Sequence, residues 1–389
     1  MNNKVYRLKN QIKHYKWGSS HILPEFLGVD NDSGMPFAEM WMGTHRNAPS
    51  QVQIDGSFTG LKEAAGEIPF LFKLLAIEKP LSIQAHPDKK QAEEGFNKEN
   101  GSGVSLDAPI RNYKDTNHKP EIICAVSAVE LMAGFREPEN IIESLKEFSS
   151  LSAPVKEIAA PLIDSLKTGA LFDFYRTLIN FSRMEQEYVR ALIRDKTDGQ
   201  GTAAITESQW KMMKEFVNLY PGDSSVLAPL YLNCITLTPG QAVFIPAGVL
   251  HAYISGFAVE LMISSDNVLR GGLTLKHIDI EELMKILEFT PYYPKIISIP
   301  YDDPGLRRWF CFDTPCGEFL LAFMKESGEI AFPGRKPAVC VVMEGDLRVD
   351  GMSFKKGESF FIPDGGSGAD EPVLFKGDFS LYAACSGSQ

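Results

Sequence analysis

Two segments at a constant offset constrain this chain more than any other feature of it. Leu237–Gly248 reads LTPGQAVFIPAG and the stretch 354–365 reads FKKGESFFIPDG, so Gly240 matches Gly357, Phe244 matches Phe361, and Ile245-Pro246 matches Ile362-Pro363. A glycine turn, a short apolar strand and a Pro-x-Gly turn form a recurring unit of antiparallel double-sheet barrels, and two copies predict two jelly rolls. The copies differ where it matters for chemistry: His251 follows the first, and Gly368 stands at the matching place after the second. One barrel is equipped for a metal and the other is not, and the turn by itself does not demand an imidazole.

Periodicity fills in the rest. From Lys4 to about Phe135, apolar runs such as FLFKLLAIEKPLSIQAH and EIICAVSAVELMAGF alternate with turn residues and predict strands. The polar stretch between them reads as a short helix and a loop. From Glu137 to about Tyr220, apolar residues recur at helical spacing: Ile141, Ile142, Leu145 and Phe148, then Leu162, Leu166, Phe174 and Leu178, then Val189, Leu192 and Ile193. Thr206 or Ser208 would cap a further helix. Strand texture returns at Tyr231 and, after a helical stretch around Ile280 to Leu287, persists to the end. The predicted fold class is mainly β with an α insertion. A discontinuous barrel covers 1–136 and 226–298, a helical domain 137–225, and a second barrel without metal ligands 299–389. A chain of 389 residues has room for this division.

Fifty acidic against thirty-nine basic side chains leave a net charge of −11, which disfavours nucleic acid and anionic membranes as partners. An anionic small substrate would therefore require a local cluster of cations. The opening segment lacks the pattern of a secretory signal, and no apolar run is long enough to span a bilayer. The six cysteines are scattered and read as reduced thiols. The expectation is a cytoplasmic protein, acting as a monomer.

Three segments carry chemistry. In LSIQAHPD, a strand from Leu81 to His86 would put Leu81, Ile83 and Ala85 on one face and Ser82, Gln84 and His86 on the other. Such alternation also marks an ordinary half-solvated strand. In DTNHKPEIICAVS, His118, Lys119 and Glu121 precede an apolar strand, where a carboxylate can turn inward, although a charged loop reads the same way. In FIPAGVLHAY, His251 opens a strand directly after the barrel turn. Two imidazoles, a carboxylate and an amide oxygen suit Zn²⁺. Two histidines and a carboxylate equally describe a non-haem Fe(II) oxygenase.

The motifs H-Y-K-W-G, A-E-M-W-M-G-T-H, P-L-S-I-Q-A-H-P-D-K, N-H-K-P-E, P-A-G-V-L-H-A-Y and S-D-N-V-L-R-G-G-L-T-L-K-H-I-D fall in order over roughly the first 280 residues. Together they resemble the type I phosphomannose isomerases. The resemblance implies cupin-like jelly rolls and one zinc per chain, held by Gln84, His86, Glu121 and His251. It also implies interconversion of mannose 6-phosphate and fructose 6-phosphate, with Arg270 in the active site. One departure is Arg46, where the family commonly has proline after His45. A catalytically silent sugar-binding cupin stands as a third alternative beside the isomerase and the oxygenase.

Aldose-ketose isomerisation moves a proton between C1 and C2 through a cis-enediol and needs a base. Glu260, inside the apolar FAVELMISS, is one candidate, since burial raises a carboxylate pKa; it could equally anchor Arg270 or Lys276 as an ion pair. Asp266 is a second candidate, although SDN also forms turns. Lys119, Arg270 and Lys276 are the cations available for phosphate and charge stabilisation, with Ser82 as a neutral donor. Tyr253 would orient a hydroxyl. Trp17 and Trp41 would either line the sugar site or pack as core aromatics, and Glu39 would organise the pocket from behind.

Overall fold

The computed structural model describes residues 5–196, 201–301, 309–334, 337–364 and 372–387; Gly368 lies outside them. The described chain is mainly β with helices. Seven strands form an antiparallel sheet in the order Ile296–Ser298, Gln241–Ile245, Glu121–Ala125, His251–Ile263, Phe70–Ile77, Glu39–Gly43 and Gln11–Lys13. His251–Ile263 spans two layers. Its second half pairs with Glu121–Ala125 and Phe70–Ile77, and its first half with Ile83–Ala85 and Val129–Phe135. The changeover falls at Gly256, with φ 116°, where a Cβ would stand 2.3 Å from the Ala128 carbonyl oxygen. Only glycine fits there.

Strand alternation divides the residues of this sheet cleanly between its two faces. Phe70, Phe72, Leu74 and Ala76 join Ile122, Cys124, Val259 and Leu261 in a core shared with Phe319, Phe323, Val341 and Tyr382 of the C-terminal strands. The opposite face carries Leu75, Ile77, Ile123, Ala125 and Ala258, and with them Lys73, Glu121 and Glu260. The charged groups are therefore inside.

A second antiparallel sheet contains Phe319–Ala331, Leu374–Ser386, Ala338–Val349 and Ser359–Ile362, and it is extended by Tyr6–Lys9, with Tyr6 opposite Phe361. Its interior is packed with Phe354, Phe360, Phe375 and Phe379. The repeated segments adopt one turn. Gly240 and Gly357 have φ of 82° and 83°. The Gln241 side chain accepts from the Thr238 N–H at 2.9 Å, and the Glu358 side chain accepts from the Lys355 N–H at 2.7 Å.

Helices Pro138–Ser150, Ala153–Lys167, Leu171–Ile179, Arg183–Asp195 and Glu207–Leu219 lie between Val129–Phe135 and Leu232–Leu237, two strands that pair with each other. The helical block thus leaves the sheet and returns to it at one hairpin. Thr206 caps its last long helix, forming a reciprocal box with Gln209. Phe148, Phe174, Trp210 and Phe216 fill its core.

Candidate metal centre

Short strands bring the three sequence segments together. The strand predicted from Leu81 begins only at Ile83, and Leu81 packs against the core around Tyr253 while Ile83 and Ala85 face the helical block. The Leu81 N–H is instead held by the Tyr253 carbonyl at 2.9 Å, which turns the chain before the strand starts. Ser82 is half-buried just ahead of it. Arg270, Gln84 and His251 stand opposite one another across three neighbouring strands. Glu121 opens the strand opposite Ile245.

The ligand atoms of His86, Glu121 and His251 all lie within 4.8 Å of one another, and the three residues are buried. His86 Nε2 is 3.2 Å from Glu121 Oε1, and His251 Nε2 is 3.3 Å from Glu121 Oε2. Backbone carbonyls fix both imidazoles: His86 Nδ1 donates to Asn267 O at 2.7 Å and His251 Nδ1 donates to Val249 O at 3.0 Å. Each ring therefore turns its Nε2 toward the carboxylate, the atom a metal would take from it. Burial and Lys119 hold the His86 pKa down to about 4, so the ring is neutral. Burial would raise the Glu121 pKa, but Lys119 and His86 outweigh it and keep the carboxylate ionised. Its Oε1 is 2.8 Å from Lys119 Nζ yet has no aligned hydrogen-bond donor. The Gln84 amide lies beside the cluster, 3.4 Å from His251 Nε2, and turning it end for end would present its oxygen. Two buried imidazoles, a carboxylate with an orphaned buried oxygen and an amide fit a divalent cation such as zinc.

A second charged constellation lies on the same inner face. Lys73 Nζ is 2.9 Å from Glu260 Oε2 and 3.9 Å from Glu39 Oε1, and it sits 5.0 Å from the centre of the buried Trp41 ring. Glu260 thus pairs with Lys73, not with Arg270 or Lys276. Burial opposes the Lys73 charge, but Glu260 and Glu39 outweigh it and raise its pKa. Burial, opposed by Lys73, leaves the Glu260 pKa raised. Tyr253 links the two constellations by donating its hydroxyl to Glu121 Oε2 at 3.1 Å. Sequence reasoning missed Lys73, although a lysine within FLFKLLAI, a run buried at every position, was itself the signal.

Asp266 is committed elsewhere. It accepts from Arg46 at 3.3 Å and Asn47 at 2.9 Å, and lies 3.2 Å from His45 Nε2. Because the Asn47 N–H donates to His45 Nδ1 at 3.2 Å, the ring proton is on Nε2 and points at Asp266. Burial works against the Asp266 charge, yet His45, Arg46 and Lys114 hold its pKa down to about 2, which makes it a poor base. The neighbouring Asn267 side chain clasps Lys114, Asp115 and Asn117, and so fixes the carbonyl that orients His86. Arg270 makes no ion pair or side-chain hydrogen bond among the described residues, and burial lowers its pKa. Burial, then Arg270 and Lys114, lower that of Lys276. Arg270, Lys276 and Lys114 thus gather, and among the described residues none of the three forms an ion pair with a carboxylate. Trp17 is half-buried, stacked on Tyr15 at 5.8 Å and packed near Tyr253.

Comparison with known proteins agrees with this geometry. Residues 5–138 match the model of the phosphomannose isomerase type I catalytic domain. The mannose-6-phosphate isomerase of Escherichia coli is 33% identical over 96% of this chain and 97% of its own length. A probable mannose-6-phosphate isomerase of Caenorhabditis elegans is 35% identical over 78% of this chain and 76% of its own. A crystal structure of the Salmonella typhimurium mannose 6-phosphate isomerase bound to fructose 6-phosphate and zinc superposes with a TM-score of 0.84 at 31% identity, covering 99% of this chain and all of that one. The chain belongs to the type I phosphomannose isomerase family.

Proposed function

We propose that this chain interconverts D-mannose 6-phosphate and D-fructose 6-phosphate through a cis-enediol, using one zinc ion per chain. The buried His86–Glu121–His251 cluster, with both Nε2 atoms facing an ionised carboxylate, carries this reading. Gln84 supplies the fourth ligand. Zinc contributes Lewis acidity toward the substrate oxygens. Cupin-like jelly rolls at 1–136 with 226–298 and at 299–389, and a helical domain at 137–225, are the architecture we assign. Every group named belongs to one chain, so a monomer carries a complete site.

The chain's own residues take distinct tasks. Arg270, Lys276 and Lys114 receive the phosphate and the charge developing on the enediolate, because they are clustered cations that form no ion pair among the described residues. Glu260, with its raised pKa and its hydrogen bond from Lys73, holds and moves the proton between C1 and C2. Lys119 keeps Glu121 ionised, and Tyr253 orients that carboxylate. Asp266 fixes His45 and the Arg46 turn instead of acting as a base. Ser82 and Trp17 stand at the sugar wall.

Zinc-loaded protein given mannose 6-phosphate should form fructose 6-phosphate with no uptake of oxygen. Absence of product with zinc verified, or consumption of oxygen, would refute the assignment. Glu260→Gln should abolish exchange of the C2 proton with solvent while leaving zinc bound.

A further inference from the structure

Among the described residues the guanidinium of Arg270 makes no ion pair or side-chain hydrogen bond, so its place beside Gln84 is set by its backbone. That backbone is irregular. The pairing of Leu269–Gly272 with Ile83–Ala85 slips between Arg270 and Gly272, Gly272 has φ 144°, and Leu273 sits at φ 50°. A left-handed leucine is strained and persists only where its surroundings over-determine it.

What holds it comes from the helical side of the molecule. The Leu273 N–H donates to Ser225 Oγ at 2.9 Å. Ser225 Oγ in turn donates to Asp223 Oδ1 at 2.6 Å, and the Ser225 N–H donates to the same oxygen at 2.8 Å. Two residues earlier on the strand, the Tyr175 hydroxyl donates to the Gly271 carbonyl at 3.2 Å. Ser225 and Tyr175 are both buried. The approach is close: a Cβ on Gly272 would stand 2.0 Å from Ser225 Oγ.

We propose that Ser225, braced by Asp223, and Tyr175 are positioning residues that clamp the Gly271–Gly272–Leu273 turn and thereby aim Arg270 into the site. The helical block contributes no group to the metal cluster; its task is to fix the cation opposite it. The proposal rests on the reading of Arg270 as a substrate-contacting residue.

The test compares Ser225→Ala, Tyr175→Phe, Arg270→Ala and the double variant Ser225→Ala/Arg270→Ala in the zinc-loaded protein. Arg270→Ala should lower kcat/KM about a hundredfold or more. Ser225→Ala should lower it about tenfold with zinc content unchanged, dividing between kcat and KM as Arg270→Ala does. Tyr175→Phe, which deletes one hydroxyl from an otherwise intact ring, should give about threefold in the same pattern, and carries the test if Ser225→Ala does not fold. In the double variant the serine change should add less than about twofold, because it acts through the missing arginine. A damaged Arg270→Ala beside undamaged Ser225→Ala and Tyr175→Phe, or losses that multiply in the double variant, would overturn the clamp alone. An Arg270→Ala protein with parental turnover would overturn the site reading and the clamp together.

Discussion

The two copies of the repeated turn fold alike and enclose opposite interiors. Gly240 and Gly357 share one left-handed conformation, and Gln241 and Glu358 make the same side-chain bond to the turn. Ile245 and Ile362 end matching strands. Yet Ile245 faces Glu121 across the sheet, whereas Ile362 faces the buried Ala338. Behind Glu121 lie Lys73, Glu260, Tyr253 and two histidines; behind Ala338 lie Phe354, Phe360 and Phe375. The turn is thus a structural unit, and function resides in what the inward positions carry. One interior gains packing, and the other accepts buried charges that must be paired or given to a metal.

Breaking the charged interior should have the largest effect. Glu121→Ala should lose zinc and reduce turnover by about a thousandfold or more, measured by metal analysis and isomerase assay. In the apolar interior, Phe360→Ala should cost about 3–5 kcal/mol in denaturant unfolding while the folded fraction keeps its zinc and kcat. Gly357→Ala should cost about 1–2 kcal/mol through the left-handed φ, again with kcat intact. The smallest effect concerns Asp266, whose pKa falls from 3.8 to about 2 in the folded chain. A lowered carboxyl pKa gives stability that is complete above the unfolded value and disappears as pH drops through the folded one. The gap in unfolding free energy between the parent and Asp266→Asn should therefore hold steady above about pH 4 and narrow toward pH 2.

The division between what was readable in the sequence and what was not follows the range of each interaction. The repeat, the helical spacing from Ile141 to Ile193 and the cap at Thr206 are local, and they announce themselves within a few residues. His86, Glu121 and His251 were legible because each sits in a motif of its own. Lys73 with Glu260 was not, because their pairing is a register between strands 187 residues apart in sequence, set by no local signal. Leu81 broke the expected alternation because a backbone bond to Tyr253 holds it out of the strand, which starts only at Ile83. Asp266 looked available until the turn at Arg46 and Asn47 came to meet it. The clamp of Ser225 on Leu273 is likewise invisible until the fold brings the helical block beside that strand.

The claim that one interior holds the metal and the other only packs is tested most directly by counting zinc in the parent and in His251→Ala. The parent should hold one zinc per chain, and the variant, which lacks the imidazole as the second copy's sequence does, should hold none. A His251→Ala protein that still carries one zinc per chain would contradict the assignment.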